Sequence, residues 1–139
     1  MGLSIADVTS LVDQHFPQAR DDVGAFVIEA LPELGADLRL PVDPKFIRPG
    51  GTVSGPTMFK LADLSIYVAI LAVRGEAAIQ AVTSNMTLNF LARPKPADLI
   101  CNARLLRIGR RLAVAEVALY SDGGRDMVCH ATGTYAMPN

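Results

Sequence analysis

In the stretch "SGPTMFKLAD", a Ser-Gly-Pro start at Ser54 leads through a mostly oily run to a single carboxylate, Asp63. Both ends of this stretch could do chemistry. A helix start leaves its first amides without intrahelical acceptors, and the macrodipole places about half a positive charge there, so such an end can stabilise an oxyanion. Gly55 and Thr57 would be the donors, because Pro56 has no N–H, and Gly55 also lets a ligand carbonyl come close to the backbone. The plainer account is a well-capped helix with no further role. Asp63 sits between Ala62 and Leu64, with Phe59 and Tyr67 one turn away on either side, so its ionised form is disfavoured unless a partner is supplied. Beside a groove, a carboxylate in that environment suits general-base or nucleophilic work. The alternative is an ion pair to Lys60 or to an arginine.

Other chemistries find little support. In "GTVSG" the serine is at the fourth place, which is not G-x-S-x-G, and Ser54 reads better as a cap or polar loop residue. Gly50, Gly51 and Gly55 fit neither the dinucleotide-binding nor the P-loop spacing. His15 and His130 form no metal constellation, and Cys101 and Cys129 lack any C-x-x-C pattern, so they read as reduced core thiols of a cytoplasmic protein. Arg107, Arg110, Arg111 and Arg125 fall at hairpin ends, either as solvated turns or as contacts for a phosphorylated ligand tail. Thr83, Ser84 and Asn85 alternate with apolar neighbours, and one of them could share the groove with Asp63.

The elements that must position these residues follow from periodicity. Ser4 and Asp7 resemble a capping box, and Ile5, Val8, Val12 and Phe16 recur at helical spacing, predicting a helix over about 4–16 that Pro17 ends. "AFVIEAL" and "ADLRLPV" around "PELG" read as a hairpin. With Gly55 as N-cap and Pro56 at the first helical position, a helix is expected over about 56–73, roughly 27 Å long. It is apolar almost all round, as befits a helix wrapped by other structure. It could be mistaken for a membrane span, but Lys60, Asp63 and Ser65 interrupt it and the unbroken apolar run is only Ile66–Val73. From Ala77 the period becomes two, giving four strands joined by "RPKPA", "GR" and "DGGR", read as a four-stranded meander. The whole is a single α+β domain, 1–139, with an antiparallel sheet around one central helix.

Bulk composition agrees. Of 139 residues half are apolar and 19% charged, a surplus of oily residues that fits a subunit interface. Thirteen basic against fourteen acidic residues leave a net charge of −1, which argues against a nucleic-acid or membrane-surface binder. The first twenty residues lack the basic and long apolar regions of a secretory signal.

Four segments together resemble the hotdog-fold acyl-CoA thioesterases, in their phenylacetate-degradation (PaaI-like) branch. They are "SGPTMFKLAD" (Ser54–Asp63), "TSNMTLNFLARP" (Thr83–Pro94), "RIGRRLAVAEV" (Arg107–Val117) and "ATGTYAM" (Ala131–Met137), in the family's order and spacing, with coverage from about Gly35 to the C-terminus. The resemblance implies a five- or six-stranded antiparallel sheet around the helix, in a homodimer or homotetramer with active sites at the dimer interface. It assigns the Gly55 amide to polarising the thioester carbonyl, Asp63 to activating water or attacking directly, and Thr83 to the place where some members keep a water-positioning serine. The substrate would be a medium-chain or aromatic acyl-CoA, with coenzyme A as its carrier portion and no metal or redox cofactor. Ser54 stands where the family has His, Arg48 where it has Asn, and Pro56 where it has a second Gly. Arg48 in that place suits a carboxylate or phosphate of the ligand. These departures keep two other readings open, a non-catalytic acyl-CoA binder and a structural partner subunit. "HFP" at His15 also resembles the His-Phe-Pro of hotdog dehydratases, but there the histidine directly precedes the central helix. Here it lies 48 positions before Asp63 (63 − 15 = 48), so no hydratase chemistry is read from it.

Overall fold

A computed structural model describes residues 2–139. The capping box closes as expected. Ser4 Oγ accepts from the Asp7 amide at 3.1 Å and Asp7 Oδ2 accepts from the Ser4 amide at 3.2 Å, starting α1 (Ile5–His15). Its Val8 and Val12 are fully buried. After Pro17 a second, five-residue helix α2 (Gln18–Asp22) forms, which periodicity over so short a stretch did not announce. The hairpin is present as β1 (Val27–Ala30) and β2 (Gly35–Leu40), paired antiparallel.

The central helix α3 runs from Gly55 to Arg74, and Gly75 ends it with φ 65°. Its start differs from the expected one by a residue. Ser54, not Gly55, is the N-cap, because only Ser54 has a side-chain oxygen to accept the Thr57 amide, which it does at 3.3 Å. Gly55 and Pro56 are then the first two helical residues. The helix is long and apolar enough to span a bilayer, but 72% of that window is buried inside the protein. Its one fully buried hydroxyl, Ser65 Oγ, donates to Ala62 O at 2.7 Å and accepts from Cys101 Sγ.

Four more strands follow: β3 (Val82–Phe90), β4 (Leu99–Ile108), β5 (Leu112–Ser121) and β6 (Met127–Ala136). They do not form the expected meander. The sheet order is β1-β2-β4-β5-β6-β3, all antiparallel, so β4, β5 and β6 meander while β3 crosses to the far edge beside β6. The reason lies in the connection after β3, which is too long and proline-rich for a tight hairpin. It runs across the strand ends instead: the Leu91 amide donates to Val128 O, the Lys95 amide to Ser121 Oγ, and the Asp122 amide to Asp98 O.

The inner face of the sheet is built of small side chains, Ala36, Ala103, Ala113, Ala115 and Ala131 among them, all fully buried. Small residues there let the strands curl closely around α3, whose Leu61, Ile66, Ile70 and Leu71 fill the core. A six-stranded antiparallel sheet wrapped around one long helix is the hotdog arrangement expected from the resemblance.

Candidate active site

Asp63 projects from the middle of α3 beside the start of β3. It is half-buried and its partners are two hydroxyls, neither of them a cation. Thr83 Oγ1 donates to Asp63 Oδ1 at 2.6 Å, and Tyr135 Oη donates to the same oxygen at 2.7 Å while lying 3.0 Å from the Asp63 carbonyl oxygen. Register makes this possible, because Thr83 faces Tyr135 directly across the β3–β6 pair. Lys60, the nearby candidate for an ion pair, instead reaches Asp22 Oδ1 at 2.9 Å. Hydrogen bonds from two hydroxyls thus supply the support that the sequence left open between pairing and chemistry.

Asp63 lines a cleft of about 540 Å³. Thr83 and Tyr135 border it at the carboxylate, Phe16, Leu64, Tyr67 and Ile79 give it an apolar wall, and His15, Asp22 and Lys60 also line it. Two aromatic contacts hold that wall. The Tyr67 ring stacks on Tyr135 at 6.3 Å between centroids, and Phe16 meets Tyr67 edge-on at 6.0 Å. The phenol of Tyr67 is satisfied by Ile79 O at 2.7 Å. Burial, and after it the charge of Asp63, pushes the Tyr135 phenol well above the usual tyrosine range, so at neutral pH it is a donor.

The helix start forms a second group of candidates. The Gly55 amide makes no hydrogen bond with any described residue, and a Cβ added at Gly55 would sit 3.5 Å from the Phe90 ring. Phe90, at the far end of β3, is 55% exposed, so among the described residues the nearest cover of this tip is a side chain of the sheet edge. Thr57 is different from expectation. Its amide is taken by Ser54 Oγ, and its own hydroxyl lies 2.7 Å from the same atom, so Gly55 alone among the proposed donors keeps a free N–H. Pro56 is exposed. Arg48 is exposed in the turn between Ile47 and Val53, whose bridge places it at the same tip, and its backbone bonds to Thr52 and Gly51.

The remaining candidates fall elsewhere. An extra residue in β3, Ser84, breaks the register between Thr83↔Tyr135 and Asn85↔Thr134. Met86 therefore packs inward with Ile66 over Gly133, and alternation puts Asn85 outside the residues that border the cleft. Arg110 and Arg111 are exposed in the β4–β5 turn, not in the cleft. They nevertheless lie at the Thr83 end of the sheet, since Leu112 and Val82 both pair with Ala136. Sequence reasoning missed the Tyr135 hydroxyl as a partner of Asp63, and His15 and Phe16 as part of the cleft. The "HFP" spelling was the one signal for the last two.

Asp63 and Gly55 are eight residues apart on one helix, or about 12 Å along its axis. A base acting through one water on a carbonyl whose oxygen meets a donor spans roughly 10 Å, from three contact lengths and one C=O. Within a single chain, helix rise alone therefore sets the two groups at about the limit of that reach.

Comparison with known proteins places the chain in a family. Residues 50–128, more than half of the chain, match the family model described as thioesterase superfamily. A solved structure from Silicibacter sp. TM1040, named a "putative thioesterase", is 41% identical with a TM-score of 0.89, covering 99% of this chain and 93% of that one. A curated protein of Saccharolobus solfataricus named "putative esterase" is 27% identical over 97% of this chain and 86% of its own length. At 20% identity, a structure of a thioesterase protein with coenzyme A from Streptococcus pneumoniae TIGR4 shares the fold, with a TM-score of 0.79 over 92% of this chain and 97% of that one. On the family match and the 41% identity, the chain belongs to the thioesterase superfamily, and its class of reaction is thioester hydrolysis.

Proposed function

We propose that the protein is a cytoplasmic acyl-CoA thioesterase of the phenylacetate-degradation (PaaI-like) branch, acting as a homodimer or a pair of homodimers on medium-chain or aromatic acyl-CoA. The observation that carries the reading is the edge strand β3. It is exposed along most of its length, with Val82 59% and Phe90 55% exposed, and it runs from the partner of Asp63 at one end to the cover of Gly55 at the other. A long exposed edge strand of this kind, with an apolar residue at each end, calls for a pairing partner. Antiparallel pairing of β3 with a second copy of itself sets the Thr83 end of one protomer against the Phe90 end of the other. Asp63 then faces the partner's Gly55, and the roughly 12 Å separation within a chain no longer sets the reach.

In that arrangement the acyl portion lies against Phe16, Leu64 and Tyr67, and the thioester carbonyl accepts from the amide of the partner's Gly55. Either Asp63 takes a proton from water as the water oxygen bonds to the carbonyl carbon, or Asp63 itself bonds to that carbon and water later cleaves the anhydride. In both cases the C–S bond breaks and the acid remains: in the first the departing sulfur takes up the proton held by Asp63, and in the second coenzyme A leaves as the thiolate, which takes its proton from the water that cleaves the anhydride. One oxyanion donor is worth ~10²–10³ in rate and a positioned base ~10²–10⁴, enough for turnover without the family's His and Asn. The scheme calls on no metal or redox cofactor. The apolar wall of Phe16, Leu64, Tyr67 and Ile79 supports an apolar acyl portion, and the coenzyme A complex of the Streptococcus pneumoniae protein supports the carrier.

The deciding measurement is release of free thiol from a panel of acyl-CoA esters by wild type and Asp63→Asn. Wild-type turnover with a loss of ~10² or more in the variant is expected. Tight binding without turnover by the wild type, or full activity in Asp63→Asn, would refute the reading.

A further inference from the structure

Both hydroxyls that reach Asp63 reach the same oxygen. Thr83 Oγ1 is 2.6 Å and Tyr135 Oη 2.7 Å from Oδ1, and no described residue bonds to Oδ2. The Tyr135 hydroxyl cannot turn elsewhere. Its ring is 4% exposed and stacked on Tyr67, and its one proton is shared between Oδ1 and the Asp63 carbonyl oxygen. Thr83 is placed by the β3–β6 register directly opposite, one residue before the bulge at Ser84. The two donors approach from neighbouring strands and leave the carboxylate one oxygen whose lone pairs are unspent.

We propose that Tyr135 is a positioning residue of the hydrolytic site, which with Thr83 pins Asp63 by Oδ1 so that Oδ2 is the oxygen presented to water or to the acyl carbon. The inference rests on the reading of Asp63 as the reacting carboxylate. A carboxylate free to rotate about its Cβ–Cγ bond presents a reacting oxygen in the right place only part of the time. Two donors on one oxygen fix the plane of the group and so the position of the other. Burial keeps the phenol protonated, and therefore donating, across the neutral range. Oδ1, already accepting twice, is the poorer base of the pair.

The test is steady-state kinetics on the best acyl-CoA substrate for Tyr135→Phe, Thr83→Val, the double variant and Asp63→Asn. Phenylalanine keeps the ring and its stack on Tyr67, so only the hydroxyl is lost. The expected result is a fall in kcat of roughly 10- to 100-fold for each single variant with KM unchanged, since a misplaced reacting group costs rate and not binding. Because both donors act on one oxygen, the double variant falls by less than the product of the singles. A purely structural tyrosine would lower the melting temperature and leave kcat per folded site where it was. Wild-type kcat in Tyr135→Phe, or strictly multiplicative losses, together with an inactive Asp63→Asn, overturns the role of Tyr135 and leaves the reading of Asp63 standing. A fully active Asp63→Asn overturns both. Should Tyr135→Phe not accumulate folded, Thr83→Val decides alone, because a wild-type kcat there means that anchoring Oδ1 has no bearing on the reaction.

Discussion

The Thr83 hydroxyl stands 2.6 Å from Asp63 Oδ1, and at the far end of the same edge strand the Phe90 ring lies over Gly55. One strand thus reaches both the acid and the glycine to which the proposed reaction assigns its base and its oxyanion donor, although the helix carrying them sets them about 12 Å apart. A pairing of two such edges about a two-fold axis yields two equal sites, each with its acid from one protomer and its donor from the other.

That sharing can be measured by complementation. Gly55→Pro removes the one free amide at the helix tip, where proline is well tolerated, and is expected to cost ~10²–10³ in kcat. Asp63→Asn and Gly55→Pro homodimers are each nearly inactive, but a mixed dimer has one site with both defects and one with neither. Refolding the two variants together in equal amounts should restore about a quarter of wild-type activity, because half the dimers are mixed and each has one intact site of two. No recovery in the co-refolded sample would mean that the two residues do not meet across an interface.

The cap of α3 contributes to stability apart from chemistry. Ser54 Oγ accepts the Thr57 amide and lies 2.7 Å from the Thr57 hydroxyl. Ser54→Ala strips both contacts and should cost about 1 kcal/mol, a drop of roughly 3 °C in melting temperature for a chain of this size. Differential scanning calorimetry gives the answer, and an unshifted midpoint would show that the cap is idle.

Stability should also fall in alkali, for a reason inside the sheet. Burial pushes the Cys101 thiol from its ordinary 9.0 up to about 12 and that of Cys129 up to about 11. In the unfolded chain both ionise near 9, whereas in the fold both keep their protons. The folded state then binds more protons than the unfolded one in the window above 9, so this contribution is complete below 9 and is lost as the pH climbs through 11 to 12. Buried Tyr135, also raised, acts in the same direction at higher pH. Urea midpoints should be flat up to about pH 8.5 and decline above it, and Ellman's reagent should find neither thiol until the protein unfolds. A midpoint constant to about pH 10.5 would contradict this.

Much of the scaffold could be read from residue spacing, and the exceptions have identifiable causes. The α1 capping box, the hairpin and the buried central helix follow from short-range patterns, and each formed within a residue or two of the expected bounds. α2 escaped because five residues are too few to show a period. The start of α3 was placed one residue late because serine and glycine are both acceptable caps, and only the geometry of a side-chain oxygen separates them. The meander failed for a longer-range reason: which strand neighbours β6 depends on the path of the Leu91–Asp98 connection, and no local rule fixes that path. Asp63 stood out as a lone acid in an apolar helix and Thr83 as one of three polar residues on the next strand, with the resemblance assigning their roles, whereas Tyr135 lies 72 positions from Asp63 and joins it only through the β3–β6 register.

The single extra residue at Ser84 makes the length of this segment as constrained as its composition. Without it, strict alternation would not let Thr83 and Met86 both look toward α3, since they are separated by an odd count. Deleting one residue there would leave the chemical inventory nearly intact while turning either the acid's anchor or the greasy plug over Gly133 out to water. Variation in this protein should therefore run to substitutions along β3 and spare it from insertions and deletions.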